Sequence, residues 1–119
     1  MQILFIVLND LSHLQEILEI FIRLKVRGAT ILDSEGMAKA VLEMEGLNFL
    51  LGGPFQQTLP KQVDGSKTIF TVIPEEKKVP EVVEAIQNAL TNSKEKVIGF
   101  MFTLPVSGIY PLKSKKQNK

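Results

Sequence analysis

The sequence predicts an α+β fold of the ferredoxin-like type. Its order is βαββαβ: a four-stranded antiparallel sheet, two helices on one face, and a long insertion between strands two and three. Three observations predict it. Strand-like runs rich in β-branched and aromatic residues occur at 3–8, 29–34, 67–73 and 96–106. Segments with apolar residues at helical spacing follow the first and the third of these runs. With 119 residues the chain can bury one core but not two.

Residues 3–8, ILFIVL, are continuously apolar and bounded by Asn9 and Asp10, as in a strand buried on both faces. Residues 12–15, SHLQ, fit a capping box with Ser12 opening the first helix. Behind it Leu14, Ile17, Leu18, Phe21 and Leu24 line one side, with Gln15, Glu16, Glu19 and Arg23 on the wetter one. Gly28 is a natural stop for that helix. Residues 29–34, ATILDS, form the second strand, which ends at Gly36. The segment 37–66 is expected as a mobile loop, with a short helix in MAKAVLEME and turn signals at Gly52-Gly53-Pro54 and Asp64-Gly65.

Residues 67–73, KTIFTVI, read as the third strand. Pro80 suits the first turn of the second helix, and Val82, Val83, Ile86, Ala89 and Leu90 supply its apolar stripe. Residues 91–93, TNS, end it, and the fourth strand, KVIGFMFTLPV, is stopped by Pro105. One domain therefore spans 1–112, followed by a basic, disordered tail at 113–119.

This order raises a mismatch. Two helices cover one face of a sheet, so the other should alternate polar with apolar residues. Along the first strand Ile3, Phe5 and Val7 oppose Leu4, Ile6 and Leu8. Along the fourth, Ile98, Phe100, Phe102 and Leu104 oppose Val97 and Met101, and Phe70 and Val72 oppose Ile69 and Ile73 in the third. Leaving such side chains wet costs about 1.5–3 kcal/mol each relative to burial. Either another copy of the sheet or residues 38–66 must supply the cover; a closed homo-oligomer with sheets facing inward is the expectation.

Composition narrows the chemistry. The hydrophobic fraction of 45% and charged fraction of 23% are those of a globular domain. The chain has no cysteine, so disulfides, thiolate metal sites and cysteine nucleophiles are excluded. Formal net charge is +1, but four of the 14 basic residues lie in 113–119, which leaves the body net acidic. A body of that sign argues against nucleic acid as partner. The apolar run at 3–8 has no basic region before it and is too short for a signal or a membrane span, so a cytoplasmic location is expected. No catalytic constellation is present, and the protein is not expected to be an enzyme. His13, the single histidine, could share a metal with Glu16, but a helix-start histidine on a wet face is more simply inert. Asp33/Glu35, Glu43/Glu45 and Glu75/Glu76 are explained equally well as surface charge.

Two glycine-bounded corners remain, Arg27-Gly28-Ala29-Thr30 and Ser34-Glu35-Gly36-Met37. Turn chemistry with φ > 0 is one explanation; close approach of the main chain to a flat ligand, with Thr30 supplying a hydroxyl, is another. Together with the fourth-strand stretch GFMFTLPV at 99–106, these corners resemble the PII signalling superfamily over the chain up to about Leu112. The resemblance implies a homotrimer that binds an adenine nucleotide in clefts between subunits and engages a target protein, an enzyme or a membrane transporter, through its long loop. It would place Gly28, Ala29 and Thr30 at the adenine end, Gly36 and Met37 near the phosphates, and Gly99 in the facing loop. The family's phosphate-binding lysine falls at Phe100 here, its arginine pair near Pro111 and Lys113, and Lys94 or Lys96 could substitute. The loop lacks the family's modified tyrosine, since the single tyrosine is Tyr110. Phe49, Leu50, Leu51 and Phe55 could form a partner-docking tip or pack on the body. The alternative function is that of a CutA-like trimer, structural or linked to metal tolerance, without nucleotide.

Overall fold

The structure, a computed structural model, describes residues 1–37, 40, 65–91 and 98–114. They form β1 (Gln2–Leu8), a 3-10 turn (Leu11–His13), α1 (Leu14–Arg23), β2 (Thr30–Ser34), β3 (Ser66–Ile73), α2 (Lys78–Leu90) and β4 (Gly99–Pro105). The four strands make one sheet in the order β2-β3-β1-β4, every neighbouring pair antiparallel. This is the ferredoxin-like arrangement expected from the order of the elements. None of the described helices is long and apolar enough to cross a membrane.

The core lies between the helices and one face of the sheet. Leu4, Ile6 and Leu8 of β1 and Ile69 and Ile73 of β3 meet Ile17, Ile20 and Phe21 of α1 and Val79, Val82 and Ile86 of α2, all buried. Seven of these side chains are less than 2% exposed, so each contributes near the full burial value of about 1.5–3 kcal/mol. The apolar stripes of both helices thus face the sheet as their spacing requires. Coverage is uneven, however. Ile31 of β2 is on the same side as Ile69 yet 41% exposed.

Four local expectations need correction. Ser12 does not open the first helix: Asp10 caps the 3-10 turn that leads into it, its carboxylate accepting from the Ser12 amide at 3.1 Å and from the Ser12 hydroxyl at 2.6 Å, while His13 stands at the N-cap of α1 with no side-chain cap. A carboxylate beats a hydroxyl as a cap here because it takes both donors at once. The helix is stopped by Lys25, not Gly28. Lys25 adopts φ 62, its amide donates to Ile22 O at 3.2 Å, and the Val26 amide donates to Phe21 O at 2.8 Å. That is a Schellman motif with lysine where glycine is usual. No described glycine has positive φ, so turn geometry does not explain Gly28 or Gly36. Ile98, expected beside Phe100 on the open face, instead packs against the core, its carbonyl accepting from the Asn9 and Asp10 amides.

Met37 and Ala40 are helical, with the Ala40 amide on Gly36 O at 3.1 Å. The other residues of the expected short helix, the turns at 52–54 and 64, the remainder of 37–66, and 92–97 lie outside the described residues, as does 115–119 of the tail.

Candidate functional site

The helix-free face of the sheet is apolar on every strand. Register places Thr30, Phe70, Phe5 and Phe102 in one row across β2, β3, β1 and β4. Leu32, Thr68, Val7 and Phe100 form the next row, and Val72, Ile3 and Leu104 flank the first on its other side. Phe5 is the hub: its ring lies 4.9 Å from that of Phe102 and 5.7 Å from that of Phe70, with Phe100 a further 6.1 Å beyond Phe102. Offset stacking of this kind adds about 0.5–1.5 kcal/mol per pair to simple burial. Even so, Phe100, Phe102, Leu104 and Leu32 remain 42–59% exposed. Among the described residues these rows hold no charged side chain. A face of this kind exceeds what monomers ordinarily leave to water.

At the β2 edge the corner Gly28-Ala29-Thr30 is exposed. Thr71, buried in β3, donates its hydroxyl to the Gly28 carbonyl and so pins the corner to the sheet. A Cβ added to Gly28 or Gly36 would meet nothing within 4 Å. Neither packing among the described residues nor backbone conformation demands glycine at these two positions. Gly99 is the opposite case: a Cβ there would fall 2.0 Å from the Val7 carbonyl oxygen. The close passage of β4 past β1 accounts for this glycine without any ligand.

Within one copy the expected site residues do not converge. Gly36 and Met37 follow β2 at the end opposite Gly28, separated by a strand of about 13 Å between Thr30 and Ser34. Met37 is 82% exposed. Gly99 pairs with Leu8 on the far edge of the sheet, about 14 Å across three strand spacings. Phe100 projects onto the open face, and Pro111 and Lys113 are exposed in the segment after β4. Lys94 and the apolar group Phe49, Leu50, Leu51 and Phe55 lie outside the described residues.

His13 is not on a wet face. Its Nδ1 is 2.9 Å from Glu16 Oε1 and its Nε2 3.5 Å from Asp10 Oδ2, with its side chain 15% exposed. Among the described residues no group of three or more histidine or acidic side chains is placed to hold a metal. The Ser12 hydroxyl, then the Ser12 amide and the His13 ring, hold the Asp10 carboxyl below the usual carboxylate range. The Lys67 ammonium, 2.6 Å away, does the same for Asp33. Glu75 and Glu76 pair with Lys78 at 3.9 Å and with the Met1 amine at 3.3 Å. Asp33, Glu75 and Glu76 thus make surface ion pairs, while Glu43 and Glu45 lie outside the described residues.

Two concavities lie among the described residues. A groove of about 850 Å³ runs between α2 and β4, floored by the core itself and walled by Val83, Ile86, Leu90 and Met101. A second, of about 650 Å³, opens where the α1–β2 connection meets the end of β3 and the start of α2. Lys25, Arg27 and Lys78 surround it. No local pattern marks these three, because only the tertiary fold brings Lys78 to residues 25–27.

No family model matches the sequence, and no curated protein matches it. Among solved structures, the chain is similar to the PII protein of Arabidopsis thaliana bound to citrate. The TM-score is 0.61, over 89% of this chain and 77% of that one, at 16% identity. The chain shares the PII fold. At that identity the likeness is one of backbone architecture: the PII fold supplies the sheet, its bare face and the two helices, while the chemistry rests on this chain's own side chains.

Proposed function

We propose that this chain is a PII-like regulatory protein, not an enzyme, that assembles as a homotrimer in the cytoplasm. It binds a small effector, an adenine nucleotide in the first instance, in clefts between copies. It then acts on a partner protein, an enzyme or membrane transporter, through its 37–66 segment. The observation that carries this reading is the charge-free apolar sheet face bordered by exposed corners at both ends of its β2 edge. Burying that face against other copies would bring the β2 edge of one copy, with Gly28, Ala29 and Thr30, toward the β4 edge of the next. Two glycines that this fold does not itself require then have a reason: main chain without a Cβ lets a planar ligand approach closely. Gly36, Met37 and Lys94 would face the polar end of the ligand, and Phe49, Leu50, Leu51 and Phe55 the partner. Control of the partner requires that the effector contact the two states of that segment differently.

Phe100 favours a second reading. It occupies the position of the PII family's phosphate-binding lysine and points onto the sheet face, so a charge-assisted contact worth about 1.5–3 kcal/mol is replaced by a ring. A CutA-like trimer without nucleotide meets the same burial requirement. Thermal shift and calorimetry with ATP, ADP, AMP and citrate separate the two; citrate belongs in the panel because the PII neighbour was solved with it. Under the first reading an adenine compound raises the melting temperature, and Thr30→Ala abolishes the rise. A trimer that responds to no member of the panel establishes the second, and a monomer in dilute solution overturns both.

A further inference from the structure

The concavity at residues 25–27 carries a charge pattern unlike the rest of the molecule. The body of the chain is net acidic, yet this cleft is lined by Lys25, Arg27 and Lys78 with Glu75 as its single carboxylate. Glu75 is engaged by Lys78 at 3.9 Å. Among the described residues Lys25 and Arg27 have no ion-pair partner, so the cleft keeps a net positive charge. A concave cationic site on an acidic body focuses anions toward itself.

Lys25 holds that position against its conformational preference. It closes α1 in the left-handed region at φ 62, where a Cβ is disfavoured and glycine is the usual residue. A cation suits the C-terminal end of a helix, but glycine would close it at lower conformational cost, and the side chain of Lys25 is placed in the cleft. The floor between the cations is apolar, made of Val26, Val72, Ile73 and Pro74.

We propose that this cleft binds a small organic anion, its carboxylate or phosphate group held by Lys25 and Arg27 and its apolar body resting on Val26 and Pro74. The guanidinium offers a planar pair of donors to such an oxyanion, and the lysine adds a point charge. Arg27 adjoins the effector corner, but Gly28, Ala29 and Thr30 do not line this cleft, so a Thr30 variant distinguishes the two sites.

Calorimetric titration of the full chain at low ionic strength tests the assignment. The probes are phenyl phosphate against inorganic phosphate, benzoate against formate, and sodium chloride at matched ionic strength. The aromatic member of at least one pair should bind about fivefold or more tightly than its parent, and the better pair names the head group. Arg27→Gln should weaken that binding about tenfold, as loss of a charge-assisted contact does. Lys25→Gly should weaken it similarly while raising the melting temperature of the free protein, a combination that a purely structural role for Lys25 does not produce. Thr30→Ala should leave it unchanged. Responses indistinguishable from chloride, equal binding of both members in each pair, or wild-type affinity in both variants would overturn the proposal.

Discussion

Gly99 has the backbone of β1 against it, with the Val7 carbonyl oxygen 2.0 Å from where a Cβ would stand. Gly99→Ala must push β4 away from β1, and overpacking of this kind costs about 1–3 kcal/mol. Gly28→Ala meets open space and should change stability by less than about 0.5 kcal/mol. Paired urea denaturation of the two variants checks the contrast; equal losses would show that Gly28 is also a packing glycine. Asp10 is the other residue whose effect is specific. Its pKa is lowered in the folded state, chiefly by the Ser12 hydroxyl. Its contribution is therefore present above the unfolded value, near about 3.9, and is lost as pH falls through the folded value. Asp10→Ala should destabilise the protein at pH 7 by about 0.5–2 kcal/mol, the cost of a lost cap. The gap to wild type should narrow as pH falls below about 4. Asp33, held down by Lys67, follows the same sign.

At the scale of elements, α1 and α2 differ from the sheet in how much of themselves they hide. Each helix presents one apolar stripe and buries it, whereas β1 is apolar on both faces and hides fully only Leu4, Ile6 and Leu8. Period-two alternation makes the two faces of a strand readable directly from sequence, which is why the bare face was predictable from residues 3–8 and 67–73 alone. The 3-10 turn ahead of α1 and the Schellman close at Lys25 were not. Both depend on which of several competent groups wins a local hydrogen-bonding contest, and that is decided by the path of the chain into β1 and β2. Phe102 tests the sheet face as an element. It stacks on Phe5 at 4.9 Å and is 42% exposed, so Phe102→Asp should fold, with the core between helices and sheet untouched, yet disrupt assembly. Light scattering should report a fall in molar mass with far-UV circular dichroism retained. An unchanged mass would show that this face is not the interface.

For the whole molecule, the residues of the expected effector site sit on both edges of one sheet. That separation is invisible in the sequence, where residues 28–37 and 99 are simply two glycine-marked stretches. In the fold they are held apart by β3 and β1, so a site that used both edges would need a second copy. The positive cleft at Lys25, Arg27 and Lys78 was equally hidden, since about fifty residues separate its two sides. Effector binding should consequently depend on protein concentration. Diluting the protein through the range in which it dissociates should abolish the thermal shift given by an adenine compound. A shift that persists in the monomer would place the effector within one copy.

Composition and periodicity were sufficient for the order of elements, the core stripes and the greasy second face, because each is a local pattern of side-chain polarity repeated at the period of its own backbone. Distance relations were not available to them. Which glycine is crowded and which cations share a cleft depend on contacts between segments far apart in the chain, and chain folding alone sets those contacts.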